Sequence, residues 1–145
     1  MTEAEIPLLA TLPAPARSAL AAGFTPVQAA AGHSLVTQGA ADQSEYLLLQ
    51  GRMVSQIGDA EGRQVCVGLH LAPAVPPPNL ARTDAAESLV ELHCTTDCKI
   101  ARIPAATLLS QMVADPAVRD WGNQLMQQEL TRRARREWAL AALTA

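Results

Sequence analysis

At 145 residues and 49% apolar side chains, the chain is long enough for one domain with a real core, and its net charge of −3 excludes nucleic-acid binding through bulk charge. Aromatic residues make up only 3%, so the core must be built from Leu, Val, Ile and Ala. No apolar run approaches the roughly 20 residues of a membrane span, and Met1-Thr2-Glu3-Ala4-Glu5 lacks the basic start of a secretory signal, so a cytoplasmic protein is expected.

Residues 1–22 read as a helical lead-in. Pro7, Pro13 and Pro15 divide it into short helices, with Pro15 in the first turn of the second, where its missing N–H costs nothing. Leu8, Leu9, Leu12 and Leu20 are the side chains expected to pack inward. Phe24 to Ala31 reads as a first strand, and Pro26 makes it an edge strand.

Ala31 to His70 reads as short strands joined by turns. Glu45 to Gln50 is an apolar run dense enough for a strand buried on both faces. Gly51 breaks it, Arg52 to Ile57 resumes, Asp59-Ala60-Glu61-Gly62 closes a hairpin, and Arg63 to His70 runs back. Short strands at regular spacing with turns between them indicate an all-β sandwich or barrel.

Leu71 to Glu87 departs from that pattern. Pro76, Pro77 and Pro78 force a stiff, extended segment without N–H donors, and Asn79 can cap a short helical turn. Ser88 to His93 returns to a strand, Thr95-Thr96-Asp97 turns, and Cys98 to Ile103 alternates as a half-buried strand that Pro104 stops. A short helix follows over 105–114, and Asp115-Pro116 opens a long helix over 115–145, with Asp115 as N-cap.

On a wheel at about 100° per residue with Arg132 at zero, Val118, Trp121 and Leu125 fall within roughly 40° of zero, whereas Met126, Leu130, Ala134 and Trp138 fall roughly between 120° and 240°. Two apolar stripes at different heights imply two partners. The first stripe covers the chain's own barrel. The second, Met126, Leu130, Ala134 and Trp138, is the expected homodimer seam. Arg132, Arg133, Arg135 and Arg136 share one arc and read as a solvated face.

The pattern Gly32, Leu35, Gln38-Gly39, Asp42, Tyr46, Leu48, Gly51 and Gly62-Arg63 resembles the first half of a cyclic-nucleotide-binding-type β-roll, specifically the sensor domain of the Crp–Fnr family of bacterial transcription regulators. The resemblance implies a mainly β fold with flanking helices. This is a double-stranded β-helix, or jelly roll, over 23–104, followed by a long dimerisation helix, in one sensor domain spanning 1–145. It also implies a winged helix-turn-helix after the long helix. The chain stops at Ala145, where that element would begin, so DNA contact is expected only through a further C-terminal domain.

The family's nucleotide cassette needs Gly-Glu opening a short helix and Arg-Ser/Thr-Ala on the next stretch. Here the first position falls in Leu71 to Pro78, which has neither residue, and the second on Ser88-Leu89-Val90, which has no arginine. Arg82-Thr83, just upstream, could imitate the pair in a shifted loop. Cyclic nucleotide held in the usual way is therefore not expected. The loop from Pro76 to Arg82 would rim a cavity in the roll, making His70, Asn79 and Arg82 the candidate contacts for an unidentified small-molecule effector. No cofactor is expected.

His33, His70 and His93 with Cys66, Cys94 and Cys98 form no clean zinc signature. The three cysteines read instead as small buried hydrophobes, without a disulfide framework. No cupin-type histidine motif, catalytic triad order or glycine-rich phosphate loop is present, so an enzyme is not expected. A stand-alone interaction module and a metal- or haem-dependent sensor remain the alternatives.

Overall fold

The computed structural model describes residues 1–41, 43–77 and 87–144. Two 3-10 turns, Glu3–Glu5 and Pro7–Leu9, precede α1, Ala14–Ala22. The strands are β1 Thr25–Ala29, β2 Ser34–Val36, β3 Ser44–Gln50, β4 Arg52–Gly58, β5 Gln64–Leu71, β6 Glu91–Cys94 and β7 Cys98–Pro104. Two helices close the chain, α2 Ala105–Ala114 and α3 Pro116–Thr144. The architecture is the expected β-roll flanked by helices: β1-β7-β3 form one antiparallel sheet and β2-β6-β4-β5 the other.

The packing explains the unbroken apolar run in β3. Tyr46 and Leu48 join Ala29, Val36, Met53, Leu92, Cys94, Cys98 and Ile100 in a core between the two sheets. Leu47, one residue out of phase, joins Ala101 and Ile103 of β7 in a second core beneath the helices. Both faces of β3 are thus covered from Ser44 to Leu48, so the polar alternation of a half-exposed strand is lost there, whereas β7 feeds both cores yet keeps Lys99 and Arg102 exposed, as its alternating sequence predicts. The second core takes Leu9, Leu12 and Leu20 from the lead-in, Leu108 and Met112 from α2, and Val118, Trp121 and Leu125 from α3. The first stripe of the long helix therefore covers its own barrel. Each such burial contributes roughly 1.5–3 kcal/mol of transfer free energy. The Trp121 indole N–H donates to the Leu8 carbonyl at 2.8 Å and pins the lead-in to α3.

Edges and turns follow local chemistry. Pro26 is tolerated because β1 is an edge strand. At the β4–β5 hairpin, Asp59 Oδ1 accepts the Glu61 and Arg63 N–H groups at 2.9 Å each, while Gly62 takes φ +82°. Asp115 Oδ1 accepts the Ala117 N–H at 2.9 Å and starts α3. Two expected boundaries move. Only Ala14–Ala22 of the lead-in is a full α-helix. β6 begins at Glu91 rather than Ser88, because the Ser88 hydroxyl donates to the Val90 carbonyl at 2.7 Å, and the Ser88 N–H donates to Ala40 O at 2.8 Å. That local bond competes with the sheet ladder.

Candidate functional site

β5 begins as an exposed ribbon and becomes buried at His70, which is 4% exposed. Its register with β4 places His70 opposite Met53 and Gly68 opposite Ser55; Val67 is an extra residue where the pairing steps from Ser55–Gly68 to Gln56–Cys66. The Ser55 hydroxyl and His70 Nε2 lie 2.5 Å apart. Gly68 makes room for the ring, since a Cβ there would stand 3.3 Å from both Cε1 and Nε2 of His70.

The middle of α3 crosses this end of the roll. Glu129, Arg132, Arg133, Arg136 and Glu137 face Cys66 to His70 across a cleft of about 240 Å³. Burial, followed by the positive charges of Arg133, Arg136 and Arg132, pushes the His70 pKa down to about 4. The imidazole is neutral at neutral pH, and the guanidinium field reaches the floor of the cleft.

Glu129 is the joint between the roll and the helix. Its carboxylate is buried, and Oε1 accepts the Val75 N–H at 3.2 Å and the Arg132 guanidinium at 3.2 Å. Arg132 also donates to Pro73 O at 3.5 Å. The segment thus held exchanges two backbone hydrogen bonds between Ala74 and Leu48, at 2.8 and 3.1 Å, and buries Ala74, Val75 and Pro76. The start of the proline-rich stretch is therefore a packed element wedged between β3 and α3.

Of the candidate effector contacts, His70 lies in this cleft, while Asn79 and Arg82 fall outside the described residues. The arginines do not form one uniform solvated face. Arg133 and Arg136 are half-buried against β5, and Arg135 lines a separate groove along α3 with Gln124, Gln128 and Thr131. Arg132, Arg136 and Glu129 continue the stripe of Val118, Trp121 and Leu125, and that shared phase was the signal for their role. Along the second stripe, Met126 is half-buried against the helical core, Ala134 is exposed, and Leu130 and Trp138 are 58% and 75% exposed.

Cys94 and Cys98 are buried as expected, but Cys66 is exposed at the cleft, because it lies on the hairpin where the roll no longer covers β5. Among the described residues, no three His, Cys, Asp or Glu side chains come together as a metal site, and no helix is long and apolar enough to cross a membrane.

No protein-family model matches the sequence, and no curated protein matches it. Solved structures do match. The catabolite activator protein of Thermus thermophilus superposes with a TM-score of 0.71 at 18% identity, over 94% of this chain and 63% of that one. A cyclic nucleotide-binding domain from Methylobacillus flagellatus gives 0.77 at 13% identity, over 99% and 83%. The sensor domain of the transcriptional regulator DNR from Pseudomonas aeruginosa gives 0.69 at 16%, over 89% and 84%. The chain spans less than two thirds of the Thermus protein. All three are binding or regulatory proteins. At these identities the likeness concerns fold: the chain has the roll-and-helix fold of cyclic-nucleotide-binding and Crp–Fnr-type sensor domains.

Proposed function

We propose that the chain is the effector-sensing and dimerising domain of a Crp–Fnr-type bacterial transcription regulator, acting in the cytoplasm without catalysis. One observation carries this reading. The helix that walls the His70 cleft with Glu129 and Arg132 is the same helix that presents Leu130, Ala134 and Trp138 to solvent. A ligand in the cleft would act directly on the element that clasps a second copy, and so would bias two arrangements of the paired helices. His70, Asn79 and Arg82 are the proposed effector contacts. Met126, Leu130, Ala134 and Trp138 are the proposed seam. DNA contact belongs to a helix-turn-helix in a longer protein.

Usual cyclic-nucleotide binding is not part of this reading. Leu71 to Pro77 has neither glycine nor glutamate, and 88–90 has no arginine. Sedimentation equilibrium tests the seam: a dimer is expected, and Trp138→Glu should yield a folded monomer. A wild-type monomer, or a dimer that survives Trp138→Glu, would overturn it. Calorimetry with cAMP and cGMP should show no saturable heat, and tight binding of either would refute the reading of the cassette.

A further inference from the structure

We infer that the cleft between β5 and α3 is a binding site for a compact, non-nucleotide polyanion, held by Arg133 and Arg136 through carboxylate or phosphate groups. The inference deepens the sensor reading and rests on it for regulatory meaning, but not for its chemistry.

The wall is unevenly engaged. Arg132 is paired with Glu129 at 3.2 Å. Among the described residues, Arg133 and Arg136 enter no ion pair, although both line the cleft. Holding two half-buried guanidinium groups side by side without an ion-pair partner is unfavourable, and a bound anion offsets that cost. They stand at i and i+3 on one helix, about 5–6 Å apart at Cβ, so their natural complement carries two anionic groups about one helical turn apart. Glu137 is also in the lining, and Glu129 is already committed to Val75 and Arg132. Among the described residues, that leaves Glu137 as the carboxylate with which the ligand must compete.

Size narrows the ligand further. A cleft of about 240 Å³ lies below the roughly 300–1,000 Å³ of ordinary ligand pockets and favours a small, densely charged molecule. The floor is neutral, with Ser55 and His70 hydrogen-bonded to each other and Val67 and Leu69 beside them.

The test uses citrate and pyrophosphate as probes, at constant ionic strength, with cyclic AMP as the nucleotide arm. Binding is read by calorimetry and by the shift in Tm. Saturable binding of at least one probe is expected, and its preference tells carboxylate from phosphate. Arg133→Gln and Arg136→Gln should each weaken it by about tenfold or more, since each removes a charge-assisted hydrogen bond. Arg135→Gln, outside the cleft, should leave it within about twofold, because a solvated charge at that range is screened.

A readout independent of these variants comes from His70 by NMR. The charged groups facing it are Arg132, Arg133, Arg136, Glu129 and Glu137 of α3, with Cys66 on its own strand and Ser55 opposite on β4. A bound polyanion offsets the guanidinium field, so the ring should titrate at higher pH in its presence. The inference fails if neither probe saturates, if Arg135→Gln weakens binding as much as Arg136→Gln, if His70 does not respond, or if cyclic AMP binds more tightly than both probes. A dimer that binds no probe would refute this inference and leave the sensor reading standing. A monomer that binds one would do the reverse.

Discussion

Glu129 of α3 accepts a hydrogen bond from the backbone N–H of Val75, 54 residues earlier in the chain, at 3.2 Å. Both groups are buried, and the same oxygen holds Arg132. The long helix is therefore tied to the roll by a polar bond as well as by apolar packing. The tie lies at the place where a ligand-driven shift between roll and helix would have to act.

Glu129→Ala should consequently cost more than the loss of a surface ion pair. It leaves a buried N–H without a partner and adds a charged Arg132 without its carboxylate, which together amount to about 2–3 kcal/mol. Glu129→Gln keeps an acceptor for Val75 and should lose less than half as much. Urea unfolding of the three proteins checks this. Equal stability of wild type and Glu129→Ala would show the tie to be energetically idle.

The His70 environment predicts a pH dependence with a definite sign. The folded-state pKa is about 4, below the usual 6.5, so between these values the unfolded chain binds a proton that the native ring does not. Unfolding free energy therefore falls as pH drops through that window, and this residue's contribution to stability is present above about 6.5. At pH 4.5 the loss from this one residue is about 2 kcal/mol relative to pH 7. His70→Gln should flatten the stability profile by that amount, while the loss due to carboxylates remains. An unchanged slope in the variant would mean that the ring is not held neutral.

Gly51 separates β3 from β4 at φ +99°. A Cβ there would overlap the Asp97 carbonyl and stand 2.8 Å from Cys98 Sγ. Arg52, the next residue, donates its N–H to Thr96 Oγ1 at 3.0 Å and accepts the Thr95 N–H at 3.0 Å, so the β6–β7 turn cannot easily retreat. Gly51→Ala is expected to cost about 2–3 kcal/mol, from the left-handed backbone and the clash together. Gly32 also has positive φ, at +89°, but its Cβ would meet nothing within 4 Å. Gly32→Ala should cost only the backbone term, about 1 kcal/mol. Thermal melts of the two variants separate the contributions, and equal losses would show that the close approach at Gly51 is unimportant.

The strands were legible in the sequence wherever one physical rule dominated. Gly51, the Asp59–Gly62 hairpin and Pro104 punctuate β3, β4, β5 and β7 by backbone geometry alone. The run from Glu45 to Gln50 announces burial on two faces, which holds from Glu45 to Leu48 and gives way at Leu49 and Gln50. The Asp115 cap and the Val118, Trp121, Leu125 stripe likewise read correctly. The site was harder, because its residues do not look alike. Arg132 and Arg136 share a helical phase with those buried apolar residues, but their charge pointed to solvent. Nothing in the local sequence of Glu129 shows that its partner is a backbone N–H at Val75. That bond depends on how the proline-rich stretch folds back onto β3, a tertiary fact. Ser88 failed for a local reason: its hydroxyl substitutes for a strand partner, and propensity does not register this.

Thiol chemistry offers a last prediction. Cys66 is exposed in the cleft, and its Sγ makes only a weak 3.5 Å contact with the Gly68 carbonyl. Cys94 and Cys98 are buried between the sheets, and burial, with Cys98 adding to it, pushes the Cys94 thiol up to about 12. Only thiolate reacts readily with a disulfide reagent or an alkylating agent. A colorimetric disulfide reagent should thus titrate one thiol quickly in the native protein, and Cys66→Ser should abolish that fast phase. The remaining two should react only at the rate at which the roll opens, and urea should bring all three to one rate. Two fast thiols in the native protein would contradict the packing of the inter-sheet core. Because Cys66 lines the same cleft as Arg133 and Arg136, saturating citrate or pyrophosphate should slow its labelling if either occupies the site. Labelling of Cys66 at an unchanged rate under saturation would place the anion elsewhere on the molecule.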